Sequence, residues 1–150
     1  MKQPEFKARL IDYDSQEFQQ ACQLRYKLFF APHNLPQDIV LEQNQADYLH
    51  AAIAIENMVV AYGQLVPHAN KIYQICQMVV APAYQQQNLG TTILLFLIQK
   101  AKDEGAVSLT LNARLTAVSF YQRLGFQTQG GEFPSSTTGI MHIAMNKKIA

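Results

Sequence analysis

The sequence predicts a mixed α/β domain, one sheet flanked by helices. Three observations carry that expectation. Short apolar runs of strand length are bounded by turn residues, and one adjacent pair reads as a hairpin. Longer segments repeat apolar residues at helical spacing. The two kinds interleave, in the order β-α-β-β-β-α-β-α-β-β. At 150 residues, with neither internal repeats nor a composition shift that would mark a linker, the chain is expected to form a single domain, 1–150.

The elements follow from local chemistry. Phe6, Ala8 and Leu10 alternate with Lys7 and Arg9, the period of a half-buried strand, β1. Asp14 with Glu17 three residues on predicts a helix start, and Phe18, Ala21, Cys22, Arg25, Leu28 and Phe29 recur at helical spacing, so helix α1 should span about Ser15 to Phe30. Pro32 and Pro36 break it, and a loop leads to His50. Ala51 to Ile55 and Val59 to Val66 form the hairpin β2 and β3 around Glu56-Asn57-Met58. Ile72 to Val80 is β4, closed by Pro82. Ile93, Leu94, Leu97, Ile98 and Ala101 define a second helix, α2, from about Asn88 to Glu104, capped by Gly105. Val107 to Leu111 reads as β5, Thr116 to Leu124 as a short helix α3 capped by Gly125, Phe126 to Gln129 as β6 and Gly139 to Asn146 as β7.

Composition narrows the function. With 49% hydrophobic and 15% charged residues the chain can build a core without a metal or disulfide staple. Twelve basic against eleven acidic residues, with no run of like charge, point to no nucleic-acid or membrane-surface partner. Met1 to Lys7 lead into a charged segment rather than an apolar signal, and no apolar run reaches the roughly 20 residues needed to cross a bilayer, so the cytoplasm is the expected location. Cys22 and Cys76 suit neither a disulfide framework nor a zinc site and read as buried thiols. Walker A, G-x-G-x-x-G, H-E-x-x-H, C-x-x-C and G-x-S-x-G signatures are absent.

Two windows can carry chemistry. The junction Met78-Val79-Val80-Ala81-Pro82-Ala83-Tyr84-Gln85-Gln86-Gln87-Asn88-Leu89-Gly90-Thr91 ends in a helix start, whose unpaired N–H groups and dipole suit an anion when small residues let it approach. The same stretch also reads as an ordinary loop in which Asn88 is an N-cap. The second window, Ala117 to Phe126, places Tyr121 on a different face from Phe120 and Leu124, where it either packs in the core or directs its hydroxyl into a cleft.

Together the windows resemble the GNAT superfamily of acyl-CoA-dependent N-acyltransferases. Val80, Pro82, Gln85 and Gly90 fit its V-x-P-x-x-[QR]-x-x-G-x-[GA] motif; Ala117, Phe120, Tyr121, Leu124, Gly125 and Phe126 fit its A-x-x-F-Y-x-x-L-G-F segment. Leu24 to Phe29 and Gly139 to Met145 look like the small bacterial ElaA-like branch. Asn88 stands where glycine is usual, Gln85-Gln86 where Arg-Gly is common, Arg114 where many members have Asn, and Cys76 near a position where several carry a glutamate base.

The resemblance implies a mostly antiparallel sheet of about seven strands in which β4 and β5 splay apart, and acetyl transfer from acetyl-CoA to an amine in a ternary complex. It implies that Met78, Val79 and Val80 meet the pantetheine arm, that Gln85, Gln86, Gln87, Asn88, Leu89, Gly90 and Thr91 hold the pyrophosphate, and that Asn112 and Arg123 also contact the cofactor. Tyr121 would protonate the departing thiolate, and the base would be a water held by Gln77, His142 or backbone carbonyls, His142 serving otherwise as a structural histidine. Arg25, His33, His50 and Glu132 would border the acceptor site, Arg25 either meeting an acceptor carboxylate or snorkelling to water. The acceptor would be a small-molecule or peptide amine. No metal is implied, and a homodimer is compatible with the reading. A protein of the same fold that binds acyl-CoA as a sensor or regulatory module is the alternative.

Overall fold

The computed structural model describes residues 6–41 and 45–150. The N-terminal reading over Met1 to Glu5, and the middle of the loop toward His50, lie outside them. Seven strands form one sheet in the order β1-β2-β3-β4-β5-β7-β6. They are β1 (Arg9–Ile11), β2 (Leu49–Ile55), β3 (Met58–Pro67), β4 (Ile72–Val80), β5 (Ser108–Arg114), β6 (Gln127–Pro134) and β7 (Met141–Lys148). Every neighbouring pair is antiparallel except β4 and β5. The helices are α1 (Gln16–Arg25), α2 (Leu89–Asp103) and α3 (Val118–Arg123).

The core forms on both faces of the sheet. Leu89, Ile93, Leu94, Leu97, Ile98 and Ala101 of α2 pack with Leu65, Ile75, Leu109, Leu111 and Met145. Phe18 and Ala21 of α1 join a second cluster with Ile11, Ala52, Val59, Tyr62 and Val79. Alternation along β3 and β4 therefore gives each helix its own apolar stripe.

Several element bounds differ from expectation for local reasons. The cap of α1 is Ser15, not Asp14: its Oγ accepts from the Phe18 amide at 3.1 Å, while Glu17 pairs with Arg9 at 3.2 Å. The helical course continues to Phe30 as expected, but Tyr26–Phe30 widens to a π-turn. Pro32 explains the widening, because its ring collides with the carbonyl four residues back and favours a looser turn. The β2–β3 connection is a two-residue turn in which Glu56 and Asn57 both have positive φ, a backbone matched to the right-handed twist of the hairpin. Strand β5 runs on to Arg114, and β6 extends to Pro134 across an irregularity between Gln129 and Phe133 that takes up the two intervening glycines.

The feature that positions the site is a bulge in β4. Tyr62 pairs with Val79 but Gln64 pairs with Cys76, so Gly63 alone faces Gln77 and Met78. Gln77 lies in the left-handed region at φ 58°. A Cβ at Gly63 would fall 2.7 Å from Met78 Sδ and 2.9 Å from both Ile93 Cγ2 and Leu97 Cδ1, so glycine lets the bulged strand and α2 close together there. Beyond the bulge β4 no longer follows β5. Their pairing is confined to Ile72–Gln74 against Ser108–Thr110, after which β4 stays with β3 and β5 stays with β7.

Candidate active site

The wedge between the diverging strands is a cleft of about 460 Å³, a volume typical of small-ligand sites. Ile75, Cys76, Gln77 and Met78 of β4 form one wall, and Leu111, Asn112 and Arg114 of β5 form the other. Tyr121 of α3 borders it, Phe29 and Phe30 come from the π-turn, and Phe133, Ser135, Ser136, Thr137, Thr138 and His142 complete the rim.

The β4 wall presents backbone polar groups. The Ala81 amide donates to Val60 at 2.8 Å and Val79 pairs with Tyr62, so alternation turns the groups of Met78 and Val80 away from β3 and toward the gap. Val79 is the exception among the three residues expected to face a pantetheine arm. Its backbone belongs to β3 and its side chain to the core. The Val80 carbonyl accepts a hydrogen bond from Gln85 Nε2 at 3.2 Å.

At the end of β4 the chain turns through Pro82–Tyr84 into α2. Asn88 occupies the N-cap position, as one reading of the sequence had it, but at φ 65° its side chain makes no capping bond. The first amides of α2 thus receive no side-chain cap from it. Gln86 also has positive φ, 66°. Gln85, Gln86, Gln87 and Asn88 are exposed, whereas Leu89 is buried in the core. At Gly90 a Cβ would meet Phe120 at 3.6 Å and Val80 at 3.8 Å, ordinary contacts. Thr91 is half-buried on the first turn.

Tyr121 packs edge-on against Phe120 and Phe126, with ring centroids 5.0 and 5.9 Å away. Burial pushes its phenol up to about 12, with a smaller contribution from the neighbouring Cys76 thiol. His142 stacks on Phe133 and its Nδ1 lies 2.8 Å from the Ile140 carbonyl oxygen. A carbonyl only accepts, so Nδ1 carries a proton, and in the neutral form of the ring the lone pair lies on Nε2. Asn112 lines the cleft.

Other expected residues sit elsewhere. Arg123 is exposed and its Nε donates back to Ser119 at 3.3 Å on its own helix, leaving it no part in the cleft lining. Arg25 is fully buried and neither snorkels nor borders the cleft. It shares the inward face of α1 with Phe18 and Ala21, and its guanidinium lies over the Tyr62 ring, 5.7 Å from the centroid. His50 is buried beside it, with Nδ1 2.6 Å from the Tyr62 hydroxyl and Nε2 2.6 Å from the Gln45 carbonyl. His33 and Glu132 are exposed and lie outside the lining. The two cysteines are half-buried rather than buried, and Cys76 lines the cleft.

Burial, and secondarily the Arg25 charge, hold His50 below its ordinary value of 6.5 against the opposing pull of the Gln45 carbonyl. A histidine depressed in the fold binds protons more readily when unfolded. Its contribution to stability is complete above 6.5 and declines as pH falls from there through the lower folded value. Melting temperatures between pH 7.5 and 5 should fall along that limb, and His50→Gln should flatten the slope.

Sequence reasoning noted Arg114 only as a departure from the family motif, not as a site residue, and missed the aromatic rim. Arg114 lies with its guanidinium carbon 4.9 Å from the Phe29 ring centroid, so the pair spans the cleft from β5 to the π-turn. The continued alternation Leu111, Asn112, Ala113, Arg114 was the available signal. Phe133 and the Ser135–Thr138 hydroxyls carry no such periodicity. No helix among the described residues is long and apolar enough to cross a membrane, and no cluster of metal-ligating side chains occurs among them.

Comparison with known proteins agrees with this geometry. The acetyltransferase (GNAT) domain profile matches residues 10–149. The Bacillus subtilis protein YyaT is 33% identical over 115 residues, covering 75% of this chain and 72% of its own length. Among solved structures, Escherichia coli ElaA superposes with a TM-score of 0.81 at 18% identity, over 96% of this chain and 100% of that one. An aminoglycoside 6'-N-acetyltransferase complexed with coenzyme A gives 0.78 at 15% identity, over 95% and 97%. The last two likenesses speak for the fold. The domain match across nearly the whole chain makes this chain a member of the GNAT acetyltransferase family and an acyltransferase enzyme.

Proposed function

We propose that the enzyme transfers an acetyl group from acetyl-CoA directly to an amine, with both substrates bound in the cleft. The observation that carries this reading is the end of β4–β5 pairing at Gln74 and Thr110 while both strands run on. A pantetheine arm is an amide-containing chain, and the backbone groups of Met78 and Val80 offer it the partners a neighbouring strand would have supplied. Asn112 meets the arm from the opposite wall. The first-turn amides of α2, with the Gln85–Asn88 loop, receive the pyrophosphate, where the helix dipole favours negative charge.

The amine attacks as its free base. Its lone pair forms the new C–N bond, the C–S bond breaks, and the proton on nitrogen passes to His142 Nε2 directly or through water. The Tyr121 hydroxyl donates a hydrogen bond to the sulfur as charge collects there. A phenol held near 12 is a far weaker acid than a thiol of ordinary pKa about 8.5. In this reading the phenolic hydrogen stabilises the thiolate without passing to it.

The test is a thermal shift followed by turnover. Acetyl-CoA at about 100 times its dissociation constant should add roughly 2.7 kcal/mol of stability. NAD and ATP at equal concentration should add none, and CoA release should depend on an added amine. An unchanged melting temperature in saturating acetyl-CoA, with no calorimetric heat of binding, rejects the reading.

A further inference from the structure

Resting on the reading above, we infer that the acceptor is an amine bearing a carboxylate and an apolar body, of amino-acid type, and that Arg114 is the residue that selects it. The part of the cleft beside Arg114 and His142 is lined by Phe29, Phe30 and Phe133. Arg114 is the lysine-or-arginine cation in the lining, and no aspartate or glutamate among the described residues joins it there. The guanidinium lies on the Phe29 ring, and among the described residues it enters no salt bridge and has no hydrogen-bond acceptor.

Stacking occupies a face of the guanidinium and leaves its in-plane N–H donors for a planar anion, which a carboxylate matches with two parallel bonds. Arg114 faces His142 directly across the β5–β7 pairing. An acceptor carboxylate held by the first would therefore bring a nearby amino group toward the proton acceptor proposed for the second. The aromatic walls take an apolar side chain, and the Ser135–Thr138 hydroxyls offer hydrogen bonds at the rim. A polyamine or aminoglycoside fits this lining poorly. Its extra ammonium groups would meet a fixed positive charge with no carboxylate beside it, and like charges in a partly desolvated site repel strongly.

The experiment measures kcat/KM for CoA release over a panel of amino acids, each paired with its carboxamide and its decarboxylated amine, with spermidine as the polycation. It compares the parent enzyme with Arg114→Gln and Arg114→Lys. Taking each carboxylate-to-amide ratio in the parent against the same ratio in the variant cancels differences in amine basicity. The parent's carboxylate-to-amide ratio should exceed that of Arg114→Gln by about 10- to 100-fold, the range of a charge-assisted bidentate contact. Arg114→Lys should restore part of the difference. Melting temperature and the acetyl-CoA shift of each variant report whether fold and donor site persist. A parent ratio no higher than that of Arg114→Gln, spermidine turned over better than the carboxylates, or no turnover of any carboxylate while the acetyl-CoA shift is intact overturns the inference. Absence of both the shift and any CoA release overturns instead the acetyl-CoA reading on which it rests.

Discussion

Tyr121→Phe is expected to lower kcat by roughly 10- to 100-fold while leaving acetyl-CoA affinity within about twofold and stability within about 1 kcal/mol. The substitution removes a hydroxyl and keeps the ring, so the contacts with Phe120 and Phe126 survive. The Phe126 contact ties α3 to the core and accounts for the packing half of this residue's role. The catalytic half rests on the hydroxyl. Desolvation keeps the phenol near 12, so it remains protonated at every pH at which the fold would be assayed. The same desolvation strengthens any bond it makes to a developing thiolate, because neither water nor salt competes for it. A hydrogen bond to a charged partner contributes about 1.5–3 kcal/mol, which sets the range of the rate loss. Single-turnover acetyl transfer is the appropriate measurement, since slow product release would mask a chemical defect. A Phe variant within twofold of the parent in that assay removes Tyr121 from the mechanism.

What was legible in the sequence depended on whether a residue's environment is local. The apolar period of α2, the strand β4 ended by Pro82 and the glycine after α3 are all decided within a few residues. Their bounds agree with the structure to within one or two positions. Arg25 shows the limit. Its spacing correctly places it on the inward face of α1, yet the spacing says nothing of Tyr62, more than thirty residues away, whose ring receives the guanidinium. The same holds for the cleft rim. Phe133 and Ser135–Thr138 lie in a stretch with no period at all, and the pairing of β6 with β7 and of β7 with β5 brings them beside β4. Arg114 lies between these cases. Its strand character is local, while its partner Phe29 comes from the distant π-turn.

The second large effect is expected at Gln77, where backbone conformation, not side-chain chemistry, builds the cleft. Gln77→Pro should destabilise the protein by about 2–4 kcal/mol, because proline cannot adopt the φ of 58° found there and must abolish the bulge. For a chain of this length that corresponds to a fall in melting temperature of roughly 5–15 °C. Without the bulge, Met78 and Val80 lose the alternation that turns their backbone groups toward β5, and β4 is free to continue pairing past Gln74 and narrow the wedge. The acetyl-CoA thermal shift should therefore disappear in Gln77→Pro, measured at a temperature where circular dichroism shows the variant folded. Gln77→Gly is the counterpart. It removes the side chain and relieves about 1 kcal/mol of left-handed strain, offset by a comparable entropic cost of glycine in the unfolded chain. Its melting temperature should stay within about 3 °C of the parent, and its acetyl-CoA shift should persist. Loss of the shift in Gln77→Gly would transfer the effect to the glutamine side chain, which also lines the cleft. A Pro variant that melts with the parent and binds acetyl-CoA normally would show that the wedge is held open without the bulge, by the independent attachment of β4 to β3 and β5 to β7.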